Sequence, residues 1–76
     1  MTDDTATLSE LAEHELPFGR RVRLLDVDYQ NGLHLLRLIW REGTRITQID
    51  IDAASADLLA AELKAWAMAH KSDADN

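Results

Sequence analysis

The chain has 76 residues, no Cys and a net charge of −6. That is room for one domain with a modest core, and it excludes disulfides and thiolate metal sites. No apolar run approaches the ~20 residues of a membrane span. The acidic start from Met1 to Thr7 is the opposite of a secretory signal, so a soluble, cytoplasmic protein is expected.

The charge is uneven. Residues 1–15 carry five acids and no Lys or Arg, residues 16–49 carry all six arginines against three acids, and residues 50–76 carry six acids and two lysines. A basic centre between acidic flanks allows a local cationic face, while the global acidity opposes non-specific binding to nucleic acid.

Residues 1–6 and 72–76 are small, polar and acidic and read as disordered tails around a single domain at 7–71. Thr7 and Glu10 have the spacing of a capping box. Leu8, Leu11 and Ala12 then share a helical stripe, and Pro17 turns Leu16 away from helix. The pattern predicts a short N-terminal helix ending near Glu15, followed by a turn at Pro17-Phe18-Gly19.

Asn31-Gly32 is the preferred dipeptide of a two-residue hairpin turn, and Glu42-Gly43 is a weaker one. The runs around them are rich in Val, Ile, Leu and Trp, which predicts strands at about 21–29, 33–41 and 44–51. Two-residue loops at both places set Val27 against Leu36, Leu25 against Leu38 and Arg23 against Trp40. They also set Trp40 against Arg45, Leu38 against Thr47 and Leu36 against Ile49. Leu25, Val27, Leu36, Leu38, Trp40, Ile49 and Ile51 then form one apolar face.

Asp52 can cap a helix that starts at Ala53. Leu59, Leu63, Trp66 and His70 recur at helical spacing, and Leu58, Ala61, Ala65 and Met68 widen the stripe. The expected fold is therefore α+β: a three-stranded antiparallel meander with the C-terminal helix packed on one face, and a β-β-β-α order after the short first helix.

The opposite sheet face is expected to hold Val22, Leu24, Leu35, Arg37, Ile39, Arg41 and Ile46, with Asp26 opposite Arg37. It mixes apolar and paired charged groups, as a specific protein interface does. Below roughly 80 residues a core often needs a staple or a partner; with no Cys, a homodimer through this face is the expected supplement. Arg23, Trp40 and Arg45 fall side by side, an arrangement that suits either a base or anion contact or plain cover of the indole by guanidinium stems.

Asp26 to Gly32 has acids at alternate places, as a calcium loop does. However, Gly falls at the seventh place and Arg37 stands where a bidentate Glu is needed, so no metal site is expected. His14, His34 and His70 have no ligand spacing. Nucleophile motifs and phosphate loops are absent, and no cofactor is expected.

The segments Gly19 to Leu25, Leu35 to Leu38, Arg41 to Thr47 and Asp50-Ile51-Asp52 resemble a group of short uncharacterised proteobacterial proteins over residues 16–67. That group implies no function. The run of strands into a capping residue and one long helix is also similar to the single-stranded-DNA-binding transcriptional coactivator family. This likeness implies a dimer that binds single strands on its sheet.

Three functions follow as expectations. The first is a non-catalytic interaction module or accessory subunit, homodimeric through the free sheet face. The second is a nucleic-acid-binding regulator using the arginines of residues 20–45. The third is an acidic inhibitor or regulator. An enzyme is the least expected, since acid–base work needs a convergent pocket that so small a core rarely forms.

Overall fold

The computed structural model describes residues 6–75. Four strands run in chain order, β1 (Thr7–Leu16), β2 (Arg20–Asp28), β3 (His34–Glu42) and β4 (Arg45–Ile51), and one helix follows, α1 (Ala53–Asp75). The strands form one antiparallel sheet in the order β1-β2-β3-β4. The expected tail at 1–6 lies outside the described residues except for Ala6, and α1 runs on through residues 72–75, which the sequence assigns to a tail.

The predicted N-terminal helix is a strand. β1 pairs with β2 from Thr7↔Asp28 to Leu16↔Arg20, with a bulge between Glu10 and Ala12. Two helical turns are marginal in water, whereas a strand here satisfies the backbone edge of β2. It also brings Glu10, Glu13 and Glu15 against the arginines of β2. The guanidinium of Arg23 donates to Glu10 at 3.0 Å and that of Arg21 to Glu15 at 2.6 Å, with Glu13 3.4 Å away. The bulge leaves Leu11 without a partner in the register, and its side chain is exposed.

Both predicted hairpin registers shift, for different reasons. Asp28 pairs with His34, so the β2–β3 loop has five residues. Asn31 does not enter a two-residue turn; its side chain accepts from the Leu33 N–H at 3.1 Å. Asp28 accepts from the Gln30 N–H at 2.7 Å, and the Tyr29 N–H bonds the Leu33 carbonyl at 3.0 Å. These side-chain-closed turns hold Gln30 and Gly32 at positive φ, 63° and 93°. The odd loop length turns β2 over relative to β3.

At the other hairpin Glu42 pairs with Arg45, so the loop is Gly43-Thr44. Gly43 has φ 62° and Thr44 has no positive φ, which matches the turn type that takes Gly at its first central place. This moves β4 two residues along β3. The side chains keep their faces but change neighbours, so Trp40 lies across from Thr47 and Leu38 from Ile49.

One face therefore carries Arg23, Leu25, Val27, Leu35, Arg37, Ile39, Arg41 and Ile46. The other carries Val22, Leu24, Leu36, Leu38, Trp40, Ile49 and Ile51. Only Leu25 and Val27 are buried among the described residues, at 6% and 1% exposure. The helix is capped as expected: the Ala56 N–H bonds the Asp52 carbonyl at 2.9 Å, and hydrogen bonding to Ser55 pulls the Asp52 carboxyl below its usual range.

The helix does not complete the core as the sequence suggests. Its contact with the sheet is sparse and centres on β3. Leu59, Leu63 and Trp66, expected to form the other half of the core, are all exposed, Leu63 at 70% and Trp66 at 67%. The protein is correspondingly elongated, 50 × 30 × 16 Å.

Candidate functional site

The residues expected to form one free interface lie on two faces. Leu35, Arg37, Ile39, Arg41 and Ile46 stay together, whereas Val22 and Leu24 sit on the opposite side with Trp40, because β2 is turned over. Arg37 pairs with Asp50 and not with Asp26: its Nε and Nη2 donate to the two carboxylate oxygens at 2.9 and 3.0 Å. That bidentate bond holds the Asp50 carboxyl below its usual range.

The expected Arg23–Trp40–Arg45 stack is not formed. Arg23 lies across from Ile39 on the other face, and Arg45 lies across from Glu42. The guanidinium over Trp40 is that of Arg20, 5.9 Å from the ring centroid and 5.4 Å from that of Phe18. Arg20 also donates to the Pro17 carbonyl at 3.0 Å. It shares an open hollow of about 450 Å³ at the turn end of the sheet with Glu15, Arg21 and Arg41. The cations there are engaged already: Arg21 with two glutamates, and Arg41 with the Gly43 carbonyl at 3.2 Å.

The pairing of β2 with β3 also brings the His34 imidazole against two carboxylates. Its Nδ1 lies 3.0 Å from Asp26 and its Nε2 3.7 Å from Asp28. Hydrogen bonding to Asp26, and then the charge of that carboxylate, raise the imidazole above its ordinary value. His70 lies 2.9 Å from the Trp66 carbonyl and stacks on the Trp66 ring at 4.5 Å. Among the described residues no group of three His, Cys, Asp or Glu could hold a metal ion. No helix there is long and apolar enough to cross a membrane.

The largest unexplained feature is the apolar surface. Among the described residues, Leu8, Leu11, Phe18, Leu33, Ile46 and Ile49 are exposed from the sheet and its loops, and Leu58, Leu59, Leu63, Trp66 and Met68 from the helix. At about 100° per residue, Leu59, Leu63, Trp66 and His70 make one stripe of α1. Leu58, Ala61, Ala65 and Met68 make a second stripe, nearly opposite, and do not simply widen the first. The charged Asp57, Lys64 and Lys71 separate them on one side and Glu62 on the other.

A family of unknown function, DUF6967, matches residues 5–69. The chain belongs to DUF6967. No curated protein and no solved structure matches it. For this DUF6967 chain the match spans the four strands and most of α1, so the sheet and its attached helix belong to a single family unit. A missing first strand and a helix with two apolar stripes are the features that the sequence signals failed to expose. The alternation of Glu10 with the bulge-displaced Glu13 and Glu15, opposite Arg21 and Arg23, is the cue that points to β1.

Proposed function

We propose that the chain is a non-catalytic interaction module that completes its fold against a protein partner. The observation that carries this reading is the imbalance between core and surface. Among the described residues only Leu25 and Val27 are buried, while the helix exposes Leu58, Leu59, Leu63, Trp66 and Met68. A helix that is apolar on both sides normally lies inside a protein, and contiguous exposed apolar patches mark binding surfaces.

The arginines support this reading over the nucleic-acid alternative. Arg21, Arg23 and Arg37 are each held by carboxylates of their own sheet, which lowers the positive potential that phosphates would meet. The open hollow near Arg20 and Arg41 does not converge general acid–base groups on a sheltered point.

The test is the behaviour of the purified chain on dilution. An apolar dye should bind increasingly as the protein is diluted, or bind at all concentrations if the partner is a different protein. A chain that unfolds cooperatively at a concentration-independent midpoint and binds no dye would overturn the reading.

A further inference from the structure

We infer that the partner is a second copy of this chain, docked along the outer stripe of α1 with the two helices antiparallel; this rests on the interaction-module reading above. The stripe is Ala54, Leu58, Ala61, Ala65 and Met68, which follow one another by four, three, four and three residues. That alternation keeps a seam against a second helix. Leu58 and Met68 are 64% and 65% exposed, and the alanines are exposed too. The half-buried Ala56 and Ala67 lie on the other side of the helix, so the outer stripe is free of the protein's own sheet. Alanines at the middle of the seam let two helices approach at the short end of the usual 8–10 Å range.

Charge decides the direction. Asp57, Lys64 and Lys71 run along one border of the seam and Glu62 along the other, and none of these four has a partner among the described residues. With antiparallel helices, Leu58 meets the partner's Met68 and Ala61 the partner's Ala65. The same register sets Asp57 opposite the partner's Lys71, twice by symmetry, with one Lys64 pair at the axis. With parallel helices, Asp57 would instead face the partner's Glu62, two carboxylates together. The antiparallel arrangement thus makes two Asp57–Lys71 pairs against two like pairs at the axis, Lys64 with Lys64 and Glu62 with Glu62, whereas the parallel one brings only like charges together, so the balance favours antiparallel helices.

The chain also exposes more surface than a compact monomer of its mass. The chain exposes 6156 Å², whereas a compact monomer of 8.6 kDa exposes about 4,700 Å². With residues 1–5 and 76 set apart as extended chain, about 980 Å² at about 1.45 Å² per dalton, the remaining mass of about 7.9 kDa would expose about 4,400 Å² when compact, which leaves roughly 750 Å² of surplus over the whole surface. A stable interface removes about 800 Å² per partner.

Sedimentation of wild type and charge variants tests the proposal. Wild type should be a dimer at micromolar concentration and Leu58→Asp a monomer with unchanged far-ultraviolet dichroism. Asp57→Lys should weaken the dimer about tenfold. Asp57→Lys combined with Lys71→Asp should restore it, and high salt should erase the difference. A dimer tightened by Asp57→Lys would mean parallel helices and overturn the proposal. A dimer indifferent to Leu58→Asp would move the interface to the sheet or the Trp66 stripe, refuting this seam while the interaction module stands. A wild type that stays monomeric at high micromolar concentration removes the second copy, and dye binding by that monomer then separates a different partner from failure of the module reading itself.

Discussion

The Arg37–Asp50 pair distinguishes the observed registers from those that turns at Asn31-Gly32 and Glu42-Gly43 would set, in which Arg37 faces Asp26 and Gln48. Arg37→Ala, Asp50→Ala and the double variant form a cycle whose coupling energy reports their contact. The two bonds are 2.9 and 3.0 Å long, and the side chains are only 22% and 27% exposed. A surface ion pair contributes up to about 1 kcal/mol, and a hydrogen bond to a charged group about 1.5–3 kcal/mol. A coupling of about 1–2 kcal/mol from urea unfolding is therefore expected. A parallel cycle of Arg37 with Asp26 should give coupling near zero, since Asp26 is bonded to His34. Because Arg37 lowers the Asp50 pKa below 3.8, the contribution is fully present above the unfolded value and is lost as pH falls through the folded one. A larger coupling with Asp26 than with Asp50 would refute the register of β2 on β3.

Leu25→Ala should destabilise by about 3 kcal/mol, a large share of the stability of so small a chain, whereas Ile46→Ala, on an exposed side chain, should cost under about 1 kcal/mol; urea midpoints compare them directly. The His34 imidazole should titrate above its ordinary value in an NMR pH series and return toward it in Asp26→Asn. The sign follows: its stabilising contribution is present below the unfolded pKa and disappears as pH rises through the folded one. A His34 pKa insensitive to Asp26→Asn would show that the two side chains do not meet.

The sequence exposes the elements that depend on local chemistry. The Asp52 cap, the β-branched and aromatic runs of β2 to β4 and the helix former content of α1 each act within a few residues, and each is where it was expected. What failed depended on counting residues in loops. Asn31 offers the same dipeptide cue whether its backbone enters a two-residue turn or its side chain closes a five-residue one. That single difference exchanges the faces of Leu24 and Leu25 relative to β3, so that Leu24 and not Leu25 lies with Leu36 and Leu38. Gly43 supports a loop with itself first or second, and only its φ of 62° without a positive φ at Thr44 separates them. At β1 the Leu8, Leu11 and Ala12 spacing looks helical because the bulge inserts Leu11 between paired residues. Removing that one residue restores a strand alternation.

The candidate surface was less legible because it depends on packing. A stripe of Leu59, Leu63 and Trp66 reads the same whether its own sheet covers it or another chain does. The sheet offers little cover here because its apolar residues are divided between two faces: Leu25, Val27, Leu35 and Ile39 on one, Leu24, Leu36, Leu38 and Trp40 on the other. One helix covers one side of a sheet at most. The turned-over β2 thus creates a sheet that needs two layers from a chain that supplies one. The same helix carries a second apolar stripe facing away from its half-buried alanines. A second copy joined helix to helix would cover that second stripe and leave the other sheet face open, and the opposite charges of Asp57 and Lys71 favour the antiparallel direction for that contact.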